Sequence, residues 1–206
     1  MNNLVIEQNK RLAFVSAFLI SLCFVLGFFV SKGYFSIDQS IQNFAISTRN
    51  DFLTSLMVII TNFASPLVLQ AYSILMFLFL VSINKLSESV NFVVSMCAGV
   101  ISFFSFKLFF TISRPIDRLT DVAGWSFPSG HTTMATIAFL LTIYFLKDHI
   151  KNLFHRKIFI EFFAMLIALV AVSRIYLGAH FFSDVLGGFF LGVAIVLVSV
   201  IVARIK

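Results

Sequence analysis

Arg174, His180 and Asp184 stand within the short segment 173–184 of a chain that is otherwise strongly apolar. Ionisable groups at membrane depth are costly, so each needs a partner or a function. His180 and Asp184 are four residues apart. On a helix that spacing puts both on one face, where the carboxylate can orient the imidazole and stabilise its charge. An imidazole held in this way can act as a nucleophile. Arg174 adds a rigid fork of donors matched to phosphate oxygens, and Gly178 lets the chain bend between the apolar runs on either side. Taken alone, the same residues could be a buried ion pair that fixes helix packing.

Two further clusters bear on the choice. Lys107 and Arg114 are seven residues apart, two turns on one helix face, so both can point into one pocket, with Pro115 stopping the helix. They could also be two cations snorkelling at a membrane interface. In the segment 127–131, Ser129 can cap a helix and Gly130 lets an anion approach the backbone. The free N–H groups and positive dipole end of that helix favour a phosphate. His131, in the first turn, is placed to give a proton to a leaving oxygen. A plain cap beside an incidental histidine is the alternative.

Together the clusters supply cations for the equatorial oxygens, an in-line nucleophile and an acid for the leaving group. That is the set phosphoryl transfer needs. No carboxylate cluster suits Mg²⁺ and no Cys/His set suits Zn²⁺, so neither a metal nor another cofactor is expected.

These side chains need a membrane scaffold. The chain has 206 residues, 60% of them hydrophobic, 28 Phe and 12% charged residues, with mean hydropathy +1.02. The class is a polytopic membrane protein, all-α and one domain over 1–206. The net charge of +6 does not imply nucleic acid, because most basic residues sit in short loops, as topology signals do. Cys23 and Cys97 lie in apolar runs and read as two small core hydrophobes rather than a disulfide.

The run 12–31 is long enough to span and reads as a membrane helix rather than a cleaved leader. The segment 34–51 carries Ile37, Ile41, Phe44 and Thr48 at helical spacing, with Asp38, Gln42, Asn43 and Arg49 between them, and predicts an interfacial amphipathic helix. Residues 52–84 are uncharged but too long for one simple span. Ser65-Pro66 divides them into a half-length helix, 52–63, and a second span, 66–83. The remaining spans are predicted at 89–112, 130–146, 158–174 and 184–203, six in all. With the N-terminus in the cytoplasm, inside loops and tails hold Lys10, Arg11, Lys85, Lys147, Lys151, Arg156, Lys157, Arg204 and Lys206, nine of the 15 basic residues. The positive-inside rule then puts both termini in the cytoplasm and all three clusters on the outer side.

The clusters resemble the three-part signature of the type 2 phosphatidic acid phosphatase family, which shares its site with vanadium haloperoxidases. It reads K-x6-R-P, P-S-G-H and S-R-x5-H-x3-D. Lys107, Arg114 and Pro115 meet the first part; Pro128, Ser129, Gly130 and His131 the second; Ser173, Arg174, His180 and Asp184 the third. The resemblance implies that His180 attacks phosphorus to form a phosphohistidine and that Asp184 holds its ring. His131 would protonate the leaving oxygen and then activate water. Lys107, Arg114, Arg174, Ser129 and the Gly130 amide would bind the phosphate.

The implied substrate is a lipid phosphate or diphosphate in a bacterial cytoplasmic membrane. Undecaprenyl diphosphate is favoured by the outward site; phosphatidylglycerophosphate, phosphatidate and a lipid A phosphate are the alternatives. No nucleic-acid partner is implied, and the oligomeric state is not legible. A vanadium haloperoxidase would be soluble, which the composition opposes, and a non-enzymatic lipid carrier would not need both histidines. Asp117, Asp121 and Trp125, between the first two motifs, could shape headgroup selectivity or form a solvated loop. Glu161 could be a buried polar contact nearer the cytoplasmic end.

Overall fold

The computed structural model describes residues 3–205. Lys206, counted above among the inside charges, lies outside them, as do the first two residues of the expected 1–206 domain.

The chain folds as α1 (Asn3–Ser31), α2 (Ile37–Ser47), α3 (Asp51–Asn62), α4 (Pro66–Ser82), α5 (Leu86–Phe110), α6 (Gly130–Leu146), α7 (Leu153–Tyr176) and α8 (Phe182–Ile205), with a 3₁₀ turn at Lys147–His149. It is a multi-span membrane protein. α1, α5, α7 and α8 are each long and apolar enough to cross a membrane. The pair α3–α4 passes the same test jointly although it is bent by 44°, which brings the number to as many as five. The break falls where Ser65 and Pro66 predict it. The Ser65 hydroxyl accepts the Val68 N–H at 3.4 Å and Pro66 opens α4. The expectation of six spans also counted 130–146. That segment is α6, a helix of 17 residues that is not among those four or five.

α6 is the core of the bundle. Ala135, Ile137, Ala138 and Leu141 are fully buried, and α4, α5, α7 and α8 all pack on it. α8 lies alongside, and its glycines allow close approach: a Cβ on Gly188 would stand 2.6 Å from the Ser129 carbonyl oxygen. Small residues at a helix crossing let backbones meet in the absence of a hydrophobic driving force between helices in lipid. α1 is tied to α8 by Ser16, whose hydroxyl donates to Ala194 O at 3.0 Å. α5 is tied to α8 by Asn91, which donates to Ser199 O at 2.9 Å and accepts from the Ser199 hydroxyl at 2.6 Å.

Three details differ from the sequence reading. α5 ends at Phe110, well before Pro115, because Thr111 adopts the left-handed conformation (φ 49°) and its N–H returns to Lys107 O at 3.0 Å. Arg114 is therefore on a loop, not two turns along the same helix as Lys107. Cys97 is exposed, and only Cys23 is a core thiol. Glu161 is exposed and lies 3.7 Å from Lys157, one turn away, rather than forming a buried contact.

Candidate active site

The three motifs meet at one end of the bundle, each held by local backbone logic. α7 stops in a Schellman-type turn. Gly178, at φ +68°, sends its N–H to Ile175 O at 3.0 Å, and Ala179 N–H reaches Arg174 O at 3.1 Å. A side chain at 178 would be strained by that φ and would also meet Arg49 Nη2 at 2.9 Å and Arg118 Cα at 3.0 Å. The turn drops His180 into the bundle, where it is 2% exposed. α6 begins at Gly130 behind Ser129, whose Oγ accepts from Thr132 N–H at 3.4 Å and from the Thr132 hydroxyl at 3.0 Å. Ser129 N–H donates to Asp184 O at 2.9 Å, which joins the second motif to the third.

Around His180 the two ring nitrogens have different partners. Nδ1 lies 3.3 Å from Asp184 Oδ2, the four-residue pairing read from the sequence. Nε2 lies 3.1 Å from Arg114 Nη1. A guanidinium only donates, so Nε2 is the acceptor and the ring proton sits on Nδ1, facing the carboxylate. Burial first, then the charges of Lys107, Arg114 and Arg174, hold the His180 pKa well below its ordinary value. The imidazole is neutral at pH 7, and its unprotonated Nε2 carries the lone pair that faces Arg114. An imidazole so oriented can attack an electrophilic phosphorus.

The cations surround it. Lys107 Nζ donates to Trp125 O and, at 2.9 Å, to Ser126 O. Arg114, from its loop, donates through Nε to Gly124 O at 2.9 Å and through Nη1 to Ala179 O at 2.7 Å, stapling two loops together. Its pKa is lowered by burial, an effect that Asp184 opposes. Arg174 is 2% exposed. Its Nη1 donates to Thr61 Oγ1 at 2.6 Å, while Nε and Nη2 have no protein acceptor. Buried donors are almost always satisfied, so two free donors on a buried cation point to an anionic ligand.

Lys107, Arg114, Gly130, His131 and His180 line a single cavity of about 1270 Å³. From that polar end it continues between α4 and α5, along Leu69, Ile74, Val100 and Phe104.

Residues 110–205 match the PAP2 superfamily. That stretch, a little under half of the chain, holds Arg114 and the whole of the second and third motifs. Phosphatidylglycerophosphatase B of Bacillus subtilis (strain 168) is 45% identical over 75 residues, which are 36% of this chain and 37% of that protein, so the matched stretch spans little more than a third of the curated relative. The crystal structure of a transmembrane PAP2-type phosphatidylglycerolphosphate phosphatase from Bacillus subtilis superposes with TM-score 0.85 at 25% identity, covering 94% of this chain and 98% of that one. The crystal structure of Aquifex aeolicus LpxE shares the fold, with TM-score 0.63 at 23% identity over 80% of this chain and 93% of that one.

Beyond the PAP2 signature, three residues enter the site that sequence reasoning did not name as part of it. Thr61, on the half-length α3, orients Arg174. Asp38, on α2, accepts hydrogen bonds from Ser183. Ser126, fully buried, donates its hydroxyl hydrogen to Asp184 Oδ2 and lies 3.4 Å from His180 Nδ1. Its position just before Phe127-Pro128 was the only signal available. Two donors, Ser126 Oγ and Phe181 N at 2.8 Å, therefore hold the oxygen that faces His180. Ser126→Ala removes one hydrogen bond to a charged group. It is expected to lower kcat by about 10–100-fold with little change in KM, as read from steady-state phosphate release. A wild-type kcat would show that Phe181 N alone suffices.

Proposed function

We propose that this chain is a PAP2 membrane phosphatase that hydrolyses the phosphate of a lipid phosphomonoester or diphosphate. The observation that carries this reading is the shape and polarity of the cavity. Its floor carries Lys107, Arg114, His131 and His180, and its walls between α4 and α5 are apolar. An anionic headgroup fits the floor and a hydrocarbon chain fits the walls. Ile74, Ile101 and Phe104 are exposed on the bundle's flank, so the chain can lie against the bilayer interior.

In this reading His180 Nε2 attacks the phosphorus, and the bond to the leaving oxygen breaks as His131 gives that oxygen its proton. Neutral His131 then takes a proton from water, whose oxygen attacks the phosphohistidine. The P–N bond breaks, freeing Nε2 and inorganic phosphate. Lys107, Arg114, the two free donors of Arg174 and the first N–H groups of α6 at Gly130 neutralise the equatorial oxygens. The Ser129 oxygen accepts both capping hydrogen bonds, which leaves its O–H to donate to the phosphate. Asp184 keeps the His180 ring oriented.

α6 is the sixth span, short because its outer end stops at the site and its flanks are covered by protein. The positive-inside distribution supports cytoplasmic termini in a bacterial cytoplasmic membrane and a site facing outward. The kinship with phosphatidylglycerophosphatases supports phosphatidylglycerophosphate as the substrate, and the outward site keeps undecaprenyl diphosphate as the second reading. Comparing kcat/KM for these two lipids and phosphatidate, in detergent and with EDTA present, separates them. The expected result is preference for phosphatidylglycerophosphate and full activity in EDTA, since the cations do a metal's work. Preference for the prenyl diphosphate reverses the substrate reading, and no phosphate release from any lipid refutes the enzyme.

A further inference from the structure

α8 starts without the side chain that ordinarily caps a helix. The residue ahead of its first turn is Phe181, which has no oxygen to offer the free N–H groups there. Two carboxylates fill the role instead. Asp184 reaches back to Phe181 N–H at 2.8 Å, as the acidic member of a capping box does. Asp38, on α2, accepts the Ser183 N–H at 2.8 Å through Oδ1 and the Ser183 hydroxyl at 2.5 Å through Oδ2. Ser183 is fully buried and Asp38 is 6% exposed, so water is a poor substitute for either bond.

α2 is built to make this contact. Asp38, Gln42 and Ala45 form its buried edge, while Ile37, Gln39, Asn43 and Phe44 are exposed. The edge that carries Asp38 and Gln42 faces protein. An interfacial helix outside the matched region 110–205 is thereby tied to the residue next to Asp184.

We propose that Asp38 is a positioning residue for the reaction: it caps α8 from α2 and so holds the turn that sets Asp184 against His180. The 3.3 Å separation of His180 Nδ1 and Asp184 Oδ2 is at the long end of a useful hydrogen bond. A slack first turn would lengthen it and release the ring. The kinetic arm of the test rests on the phosphatase reading; the binding arm does not.

The full-length protein in detergent is compared with Asp38→Ala and Asp38→Asn, using a short-chain phosphatidate for turnover. Orthovanadate, a phosphate analogue able to take a fifth ligand, is used for binding. Asp38→Ala is expected to lower kcat by about 10–100-fold with KM within about twofold. Vanadate affinity is expected to fall by about tenfold, because a transition-state-like ligand needs the oriented imidazole. Loss of a cap should move Tm by only about 2–4 °C. Asp38→Asn keeps one acceptor for the Ser183 N–H and should recover part of kcat and of vanadate affinity.

Wild-type kcat and vanadate affinity in Asp38→Ala would overturn the proposal. So would a loss of turnover that merely tracks loss of folded protein, with kcat per vanadate-binding site intact. If the wild type itself released no phosphate, the phosphatase reading would fall, and the vanadate affinities would still decide the role of Asp38.

Discussion

Replacing His180 with alanine is expected to lower phosphate release by about 10⁴-fold or more and to abolish any acid-labile phosphate label trapped on the protein during turnover. The expectation follows from the environment of the ring. Nε2 is unprotonated, faces Arg114 Nη1 at 3.1 Å, and opens on the cavity floor. No other described imidazole has a carboxylate behind it. His131 lines the same cavity but lacks that partner, so it cannot simply take over as nucleophile. Asp184→Asn tests the other half of the pair. An amide can turn its N–H toward Nδ1, which drives the ring proton to Nε2 and removes the attacking lone pair. A loss of about 10²–10⁴-fold in kcat is expected, with KM little changed. Wild-type turnover in either variant would refute the nucleophile assignment.

The signature residues were legible because their types are out of place. A lysine, arginines, histidines and an aspartate inside apolar sequence stand out whatever the fold, and their spacing carried Asp184 to His180 and Arg174 toward the same pocket. Ser65-Pro66 likewise marked the α3–α4 break, since a cap and a proline act locally. What stayed hidden depends on neighbours distant in sequence. Periodicity showed that α2 is amphipathic, but in a membrane protein the apolar edge can face lipid, so it did not reveal that the Asp38 edge is the buried one. The end of α5 was misplaced because Pro115 is a strong stop signal, whereas Thr111 carries no mark of the left-handed turn it adopts. Ser126 and Thr61 are common residue types whose importance lies in the partner each meets. Cys97 and Glu161 misled for a related reason: an apolar context in a membrane helix does not imply burial in protein.

Arg174 offers the sharper test of the phosphate reading, because function and stability should move in opposite directions there. A buried cation with two free donors costs the empty protein stability, and replacing such a group with an apolar side chain is often neutral or stabilising. Arg174→Met is therefore expected to hold or raise Tm in detergent while lowering kcat/KM by about 10²–10³-fold, the cost typical of losing a group that stabilises developing charge. Arg174→Lys retains the charge but not the fork. Its one nitrogen can meet Thr61 or the phosphate, yet it cannot reproduce an Nη1 held by Thr61 Oγ1 at 2.6 Å with Nε and Nη2 left over. A loss of about 10–10²-fold is expected for the lysine variant, intermediate between the two. If Arg174→Met instead unfolded the protein, and Arg174→Lys turned over at the wild-type rate, Arg174 would be a tie between α7 and α3. The phosphate would then be held by Lys107, Arg114 and the α6 N-terminus alone.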